Sequence, residues 1–350
     1  MSGDAIPRDA IPRDAGPTEA IAKVTRRTAI VGASLAAILF DPVARAAFPQ
    51  SPSKRTPSKR PSEKQPSEKQ RAGCTLGFST YGMKTLSTEK SIRILTNIGY
   101  DSVEIIVRSE WDADSAKLSA QRRKSLRKHL ADSKLQLTSL MEHVFPTTDQ
   151  QQKVALERLK LAAGVAHDLS PNSPPHIQTV LGGGDFQQQK NTLRDRLGDW
   201  LKLAESTATT ICIKPHRGGV VSQPAEAVWL LEQLGSPERL RMVYDYSHYA
   251  YRELPLVDTI RTALPFTSYI AVKDAVEQDG RVVFKLPGAA KTIDFAKLIQ
   301  QFHTGGYRGD FNCEVSSMVS GQNGYDPIAA AKECYENVDQ AFRMAAVPRS

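Results

Sequence analysis

The chain lacks the features that would assign it to several large classes. Its four cysteines, Cys74, Cys212, Cys313 and Cys334, form no CxxC pair and no metal-finger spacing. Cys212 and Cys313 lie in apolar runs and read as buried small hydrophobes, while disulfide pairing is left open. No apolar run reaches the ~20 residues needed to cross a bilayer. No GxGxxG turn follows the first strand-like segment, since Gly77 and Gly82 are wrongly spaced. The net charge of +8 is also not a property of the whole chain. Residues 1–72 hold 13 Lys/Arg against 7 Asp/Glu, and the other 278 residues hold 33 against 31. A nearly neutral domain without a basic face argues against nucleic acid as a partner.

The excess charge sits in a leader. Arg26-Arg27 precede an uncharged apolar run, Ala29–Phe40, followed by the small-residue stretch Val43–Ala47. That order of n-, h- and c-regions predicts a twin-arginine-type signal peptide in residues 1–47 and export, with a periplasmic location. The alternative is an uncleaved membrane tether. Residues 48–72 repeat a Ser/Pro/charged unit with nothing to bury and read as a disordered linker. Residues 73–346 are the folded domain, with no membrane span expected in the mature protein.

Within it, eight β-type runs alternate with amphipathic helical stretches. The runs are 74–80, 102–107, 135–141, 176–182, 210–214, 240–245, 268–274 and 310–316. Leu193, Leu197, Leu201 and Ala204 mark one helical face, and Ile328, Ala331, Tyr335, Val338 and Phe342 another. Gly99, Gly164, Gly235 and Gly305-Gly306 are expected at helix ends. Eight β–α units in about 270 residues predict an α/β fold, a single-domain (β/α)8 TIM barrel, over a doubly wound open sheet.

The strand ends are rich in ionisable groups: Glu104, Glu142 and His143, Lys214 and His216, Asp245 and His248, Lys273 and Asp274, and Glu314. Unpaired burial costs roughly 2–7 kcal/mol even for a neutral polar group, so convergence on one pocket is the economical reading. His167, His176, His303, Trp111, Trp200 and Trp229 are expected to pack rather than react.

The segments Gly99–Ile105 (GYDSVEI), Val243–Ala250 (VYDYSHYA), Val272–Asp274 (VKD) and Leu286–Ser316 resemble the xylose isomerase-like TIM barrels, which include sugar isomerases and epimerases, dehydratases and endonuclease IV-type enzymes. The resemblance implies a divalent metal (Mn, Mg, Co or Zn) held by Glu, Asp, His and Glu on strands five to eight. It carries Asp245 and Glu314 over as metal ligands and His248 as a substrate contact. This chain departs at the other two positions, with Lys214 in place of Glu and Ala271 in place of His. One expectation is that the Lys214 ammonium replaces the metal between Asp245 and Glu314. The alternative keeps a metal with His143, His216 and His248 as nitrogen ligands. The implied activity is isomerase or epimerase chemistry on a sugar, cyclitol or polyol-like molecule, starting with proton abstraction beside a carbonyl. Glu314 and Lys214 are the catalytic candidates; His143, His216, Asp245, His248, Lys273 and Glu104 are the substrate-binding ones. The alternatives are a non-catalytic sugar-binding barrel, or a lyase, dehydratase or endonuclease IV-type hydrolase.

Overall fold

The computed structural model describes residues 73–350. The expected signal region (1–47) and linker (48–72) lie outside the described residues. Eight parallel strands close into a barrel: β1 (Thr75–Ser79), β2 (Ser102–Ile106), β3 (Gln136–Met141), β4 (His176–Thr179), β5 (Ile211–Ile213), β6 (Leu240–Tyr244), β7 (Thr267–Val272) and, after an inserted hairpin, β10 (Asp310–Cys313). The spatial order is β1-β10-β7-β6-β5-β4-β3-β2. All eight expected strands are in the barrel, and the domain is a single (β/α)8 TIM barrel. The hairpin, β8 (Asp274–Gln278) with β9 (Arg281–Lys285), was not anticipated. It turns on Asp279-Gly280, both at positive φ, the pairing that a two-residue hairpin turn favours.

The helices start where the side chains can cap them. Ser87 caps α1 (Thr88–Ile98), Ser119 caps α2 (Ala120–Ser133), Thr148 caps α3 (Asp149–Leu169) and Asp185 caps α4 (Phe186–Ser206), each accepting from a first-turn N–H. Gln223 and Glu226 form a capping box on α5 (Pro224–Gln233). The remaining major helices are α6 (Leu256–Ala263), α7 (Phe295–Thr304) and α9 (Pro327–Met344), with the single turn α8 (Ser317–Ser320) before α9. Gly99 ends α1 in the left-handed conformation, as expected. Gly164 does not end a helix: it sits inside α3, which runs five residues further because the apolar face continues through Val165, Ala166 and Leu169.

The main core lies between the strands and the helices. Leu193, Leu197 and Ala204 of α4 and Ala331, Val338 and Phe342 of α9 are buried in it, as their spacing predicts. Trp200 is fully buried with its indole N–H on Gln152. All four cysteines are buried and unpaired. Among the described residues no helix is long and apolar enough to cross a membrane. At the N-terminal face Arg349 ties the C-terminal segment to Asp101 and Asp339 at 2.6–2.8 Å.

The barrel interior is unusually polar. Its apolar part is a small cluster of Cys212, Val243, Tyr269 and Ala271. Asp310 lies at the lower end, accepting from Thr75 at 2.6 Å, Thr138 at 3.0 Å, Asn312 at 3.3 Å and Ser102. Gly77 leaves the room this knot needs. A Cβ there would come within 2.7 Å of Ser102 Oγ, Asn312 Nδ2 and Asp310 Oδ2. Gly77→Ala is therefore expected to cost about 1–3 kcal/mol, the usual range for overpacking, measured by urea unfolding.

Candidate functional site

Strand β5 is short and apolar, and its next residue, Lys214, emerges at the C-terminal end of the barrel. Asp245 follows β6, Lys273 follows β7 and Glu314 follows β10, so alternation along each strand aims all four inward at the same level. Because β10, β7, β6 and β5 are consecutive in the barrel, the rim reads Glu314, Lys273, Asp245, Lys214, with signs that alternate. Lys273 Nζ lies 2.5 Å from Asp245 Oδ2 and 2.7 Å from Glu314 Oε1. Lys214 Nζ lies 2.9 Å from Asp245 Oδ2 and 2.7 Å from Glu314 Oε2. The four side chains form a closed ring of charge-assisted hydrogen bonds, almost fully removed from solvent.

Burial alone would neutralise these groups, and their mutual charge prevents it. Burial lowers the proton affinity of Lys214, but Asp245 and Glu314 more than offset this and raise its pKa above the ordinary lysine value. Burial pushes Asp245 and Glu314 up, yet the two ammonium groups hold Asp245 well below the carboxylate range and Glu314 at about 2. Lys214 is thus locked as a cation.

Two imidazoles cover this ring. His248 is buried, with Nε2 3.4 Å from Asp245 Oδ2, and its Nδ1 accepts the Arg217 backbone N–H at 3.2 Å. His216 lies tilted against it, with ring centroids 4.0 Å apart and planes at 43°, and hydrogen-bonds the Arg217 carbonyl through Nδ1 at 2.8 Å. Burial, Lys273 and Lys214 push His216 down to about 4, and burial with Lys273 pushes His248 well below the ordinary imidazole value, so both are neutral at pH 7.

The other sequence candidates fall into place around this centre. Glu104 lies deeper in the barrel and is fully buried, accepting from Ser79 Oγ at 2.7 Å and from Gln178 Nε2. Burial and the Glu314 charge raise it to about 7. Its oxygens are engaged below the ring by Ser79 and Gln178. Glu142 is tied to Arg158 at 2.7 Å, and Arg158 also binds Asp114 at 2.8 Å. Arg158, on α3, was not singled out from the sequence; nothing in a lone helical arginine distinguishes it. His143 is exposed and accepts from Arg108 Nη2 at 2.8 Å through Nδ1. Asp274 pins the hairpin base to the Ala290 N–H at 3.0 Å and to the Thr292 hydroxyl. Trp111 stacks on Tyr81 at 5.3 Å with Lys84 over its ring, so it packs at the rim.

The donor set does not suit a divalent metal. Both oxygens of Glu314 and Oδ2 of Asp245 already face ammonium groups, while Asp245 Oδ1 accepts from Ser247. The ring carries two positive and two negative charges; an added dication would face two ammonium groups in the same space. Lys273 makes the balance zero rather than the −1 that Lys214 alone would leave. Among the described residues no group of three or more His, Cys, Asp or Glu side chains is placed to hold a metal, including the alternative set with His143, His216 and His248.

Comparison with known proteins places the chain by fold. A family model described as a xylose isomerase-like TIM barrel matches residues 92–337. No curated protein matches the sequence significantly. The structure of 3-keto-D-glucoside 4-epimerase, YcjR, from E. coli is 13% identical at a TM-score of 0.60, covering 76% of this chain and 99% of that one. A D-psicose 3-epimerase solved in the presence of D-fructose is 14% identical at 0.60, covering 77% and 98%. The IOLI protein with a bound zinc atom is 14% identical at 0.61, covering 77% and 99%.

The ring makes two predictions about stability. Removing one partner leaves a buried charge uncompensated, so Lys214→Met should cost about 3–5 kcal/mol in denaturant unfolding at pH 7. Its pH dependence has a definite sign. Asp245 and Glu314 are depressed in the folded state, so their contribution is complete above about pH 4.5 and is lost as the pH falls toward 2. Glu104 has the opposite sign. Its folded value is raised, so stability falls as the pH climbs from about 4.5 through 7. Glu104→Gln, with the Gln178 amide turned to accept, should therefore gain on the order of 1–3 kcal/mol relative to wild type at pH 8 and nothing at pH 4. Paired urea titrations at the two pH values check this.

Proposed function

The chain belongs to the xylose isomerase-like TIM barrel family, and on that premise we propose that it is an isomerase- or epimerase-type enzyme acting on a sugar, cyclitol or polyol-like substrate. The reaction begins by removing a proton from the carbon beside a carbonyl. The observation that carries this reading is the pair of ammonium groups, Lys214 and Lys273, held side by side at the C-terminal end of the barrel. They stand where relatives by resemblance hold a metal, and they supply the same service: positive charge at the oxygen that becomes an enolate.

In this reading the carbonyl oxygen approaches the ammonium pair from the mouth. As the C–H bond breaks, the electron pair moves to that oxygen, and the two lysines meet charge with charge. Preorganisation matters here. Asp245 and Glu314 fix both ammonium groups before substrate arrives, so little reorganisation accompanies the step. Glu314, a catalytic candidate, orients the lysines: each of its oxygens accepts from an ammonium group, and it takes up a proton only near pH 2. His248, fixed by the Arg217 N–H, keeps the substrate-contact role that the resemblance gives it. Arg26-Arg27 and the apolar run after them support the reading of an exported, periplasmic enzyme.

The self-contained neutrality of the ring favours one second reading, a sugar-binding barrel without turnover. One set of measurements separates the two. The purified chain is incubated with D-psicose, D-fructose and a 3-keto-D-glucoside, followed by NMR with and without EDTA. Turnover unaffected by EDTA, and reduced about 100-fold or more in Lys273→Met, is the expected result. Metal analysis should find no stoichiometric divalent ion in the wild type and uptake in Lys214→Glu. A stoichiometric metal in the wild type, or turnover abolished by EDTA, overturns the lysine-for-metal reading. Sugar binding without turnover supports the second reading.

A further inference from the structure

We infer that His216 is the general base of this site, and that its Nε2 takes the proton from the substrate carbon. The inference rests on the reading of the ammonium pair as an oxyanion site, and goes beyond it by assigning the acceptor.

Hydrogen bonding fixes the tautomer. A backbone carbonyl only accepts, so the 2.8 Å contact between His216 Nδ1 and the Arg217 carbonyl places the proton on Nδ1. Nε2 then carries a lone pair. It has no hydrogen-bond partner among the described residues, and it is not among the buried atoms left without one, so on this half-buried residue it keeps contact with solvent. The ring is also held in place. The His216 N–H donates to Val221 O at 2.9 Å, its carbonyl accepts from Gly219 at 2.8 Å, and its ring packs tilted against His248.

The competing acceptors are engaged. Glu314 and Asp245 accept from the lysines. Glu104 is buried and bonded to Ser79 and Gln178. Glu142 accepts from Arg158 and from the His143 N–H. His143 and His248 each use Nδ1 as the acceptor, toward Arg108 and toward the Arg217 N–H, which leaves an N–H on the other nitrogen. Among the mouth groups, His216 presents the free lone pair.

The charges around His216 suit the task. Burial, Lys273 after β7 and Lys214 after β5 lower its proton affinity; Glu314 after β10 and Asp245 after β6 oppose them, and His143 and His248 are neutral neighbours. The result is a ring that is unprotonated and ready at pH 7. When the enolate oxygen forms against Lys214 and Lys273, its negative charge offsets the two cations that weaken His216. The base therefore gains proton affinity as the C–H bond breaks. The step balances without a further reactant. The proton passes from carbon to Nε2, giving an imidazolium, and the electron pair passes to oxygen. Delivery of a proton from water to the other face of the carbon, with the imidazolium releasing its own proton to solvent, epimerises it; transfer of the proton to the neighbouring carbon, with that carbon's hydroxyl proton passing to the enolate oxygen, isomerises the sugar.

Two measurements test this independently. Long-range proton–nitrogen NMR of the full chain, with His216→Asn used for assignment, should show His216 neutral at pH 7 with the proton on Nδ1. A proton on Nε2, or a charged ring, overturns the inference whatever the enzyme does. Deuterium wash-in from D2O is then followed beside the carbonyl of D-psicose, D-fructose and a 3-keto-D-glucoside. His216→Asn keeps a donor toward the Arg217 carbonyl but has no base at the Nε2 position, so wash-in should fall by about 100-fold or more while sugar affinity changes little. Wash-in kept within about threefold in His216→Asn overturns the assignment and leaves the oxyanion reading standing. No wash-in by the wild type on any of the three sugars overturns both.

Discussion

The constraint on which the site depends is the desolvation of four charges at once. Lys214, Lys273, Asp245 and Glu314 are all buried, and each would be costly alone, by several kcal/mol per ion. Together they are tolerable because every ammonium group meets two carboxylates and every carboxylate meets two ammonium groups, within 2.5–2.9 Å. An opposite-charge contact at 4 Å gains about 4 kcal/mol at an effective dielectric near 20, and these are closer. The alternation of sign around four consecutive strands is what makes the arrangement possible. It also means that no one member can change without stranding the others. This is a geometry of positioning: four strand ends are clamped at the same height, at the face where barrels of this kind carry their chemistry.

Below the ring the barrel solves a related problem differently. Glu104 and Asp310 are buried carboxylates without an ion-pair partner among the described residues, and they are satisfied by hydroxyls and amides: Ser79 and Gln178 for one, Thr75, Ser102, Thr138 and Asn312 for the other. Neutral donors stabilise a carboxylate less than cations do, so both sit high, near 7 and near 6. A polar cavity of about 160 Å3 at the N-terminal mouth, lined by Thr138, His176, Tyr269 and Asp310 among others, brings solvent close to the lower one. The lumen is thus graded, from hydroxyl-bound carboxylates at the bottom to paired ions at the top.

What the sequence revealed follows the same division. Strand count and barrel closure were legible because short β-branched runs and capped amphipathic helices are local signals, and all eight strands formed where expected. Lys214 was legible as an anomaly, a charge ending an apolar strand. Its partners Asp245 and Glu314 were legible through family resemblance. The depth of Lys273's involvement was not, because "VKD" gives no sign of whether the lysine turns inward or outward; only the register of β7 decides that. The β8–β9 hairpin did carry a local signal, Asp279-Gly280 between β-prone runs, that the count of eight units left unused. The tautomers of His143, His216 and His248 are invisible in sequence, since each is set by one contact to Arg108 or to the Arg217 backbone.

In the proposed reading two lysines stand where a metal would, and this changes what the site can do as well as what it needs. A dication offers a fixed charge and several coordination positions, so it can hold two substrate oxygens as chelate arms. Two ammonium groups offer a similar total charge spread over two points, each with protons to donate along defined directions. They favour an oxygen that lies between them over a pair of oxygens bound to one centre. They also impose a cost on any nearby base, because cations lower its proton affinity, and Glu314 at about 2 and His216 at about 4 both register it. The two groups bear that cost differently. Glu314 is bonded to the cations and must leave them to accept a proton. His216 feels them through space and keeps its lone pair free, so a negative charge developing on the substrate is enough to relieve it. In the proposed reading, the lysine at strand five therefore moves the proton-accepting role away from the carboxylate nearest the cations and toward the imidazole above them.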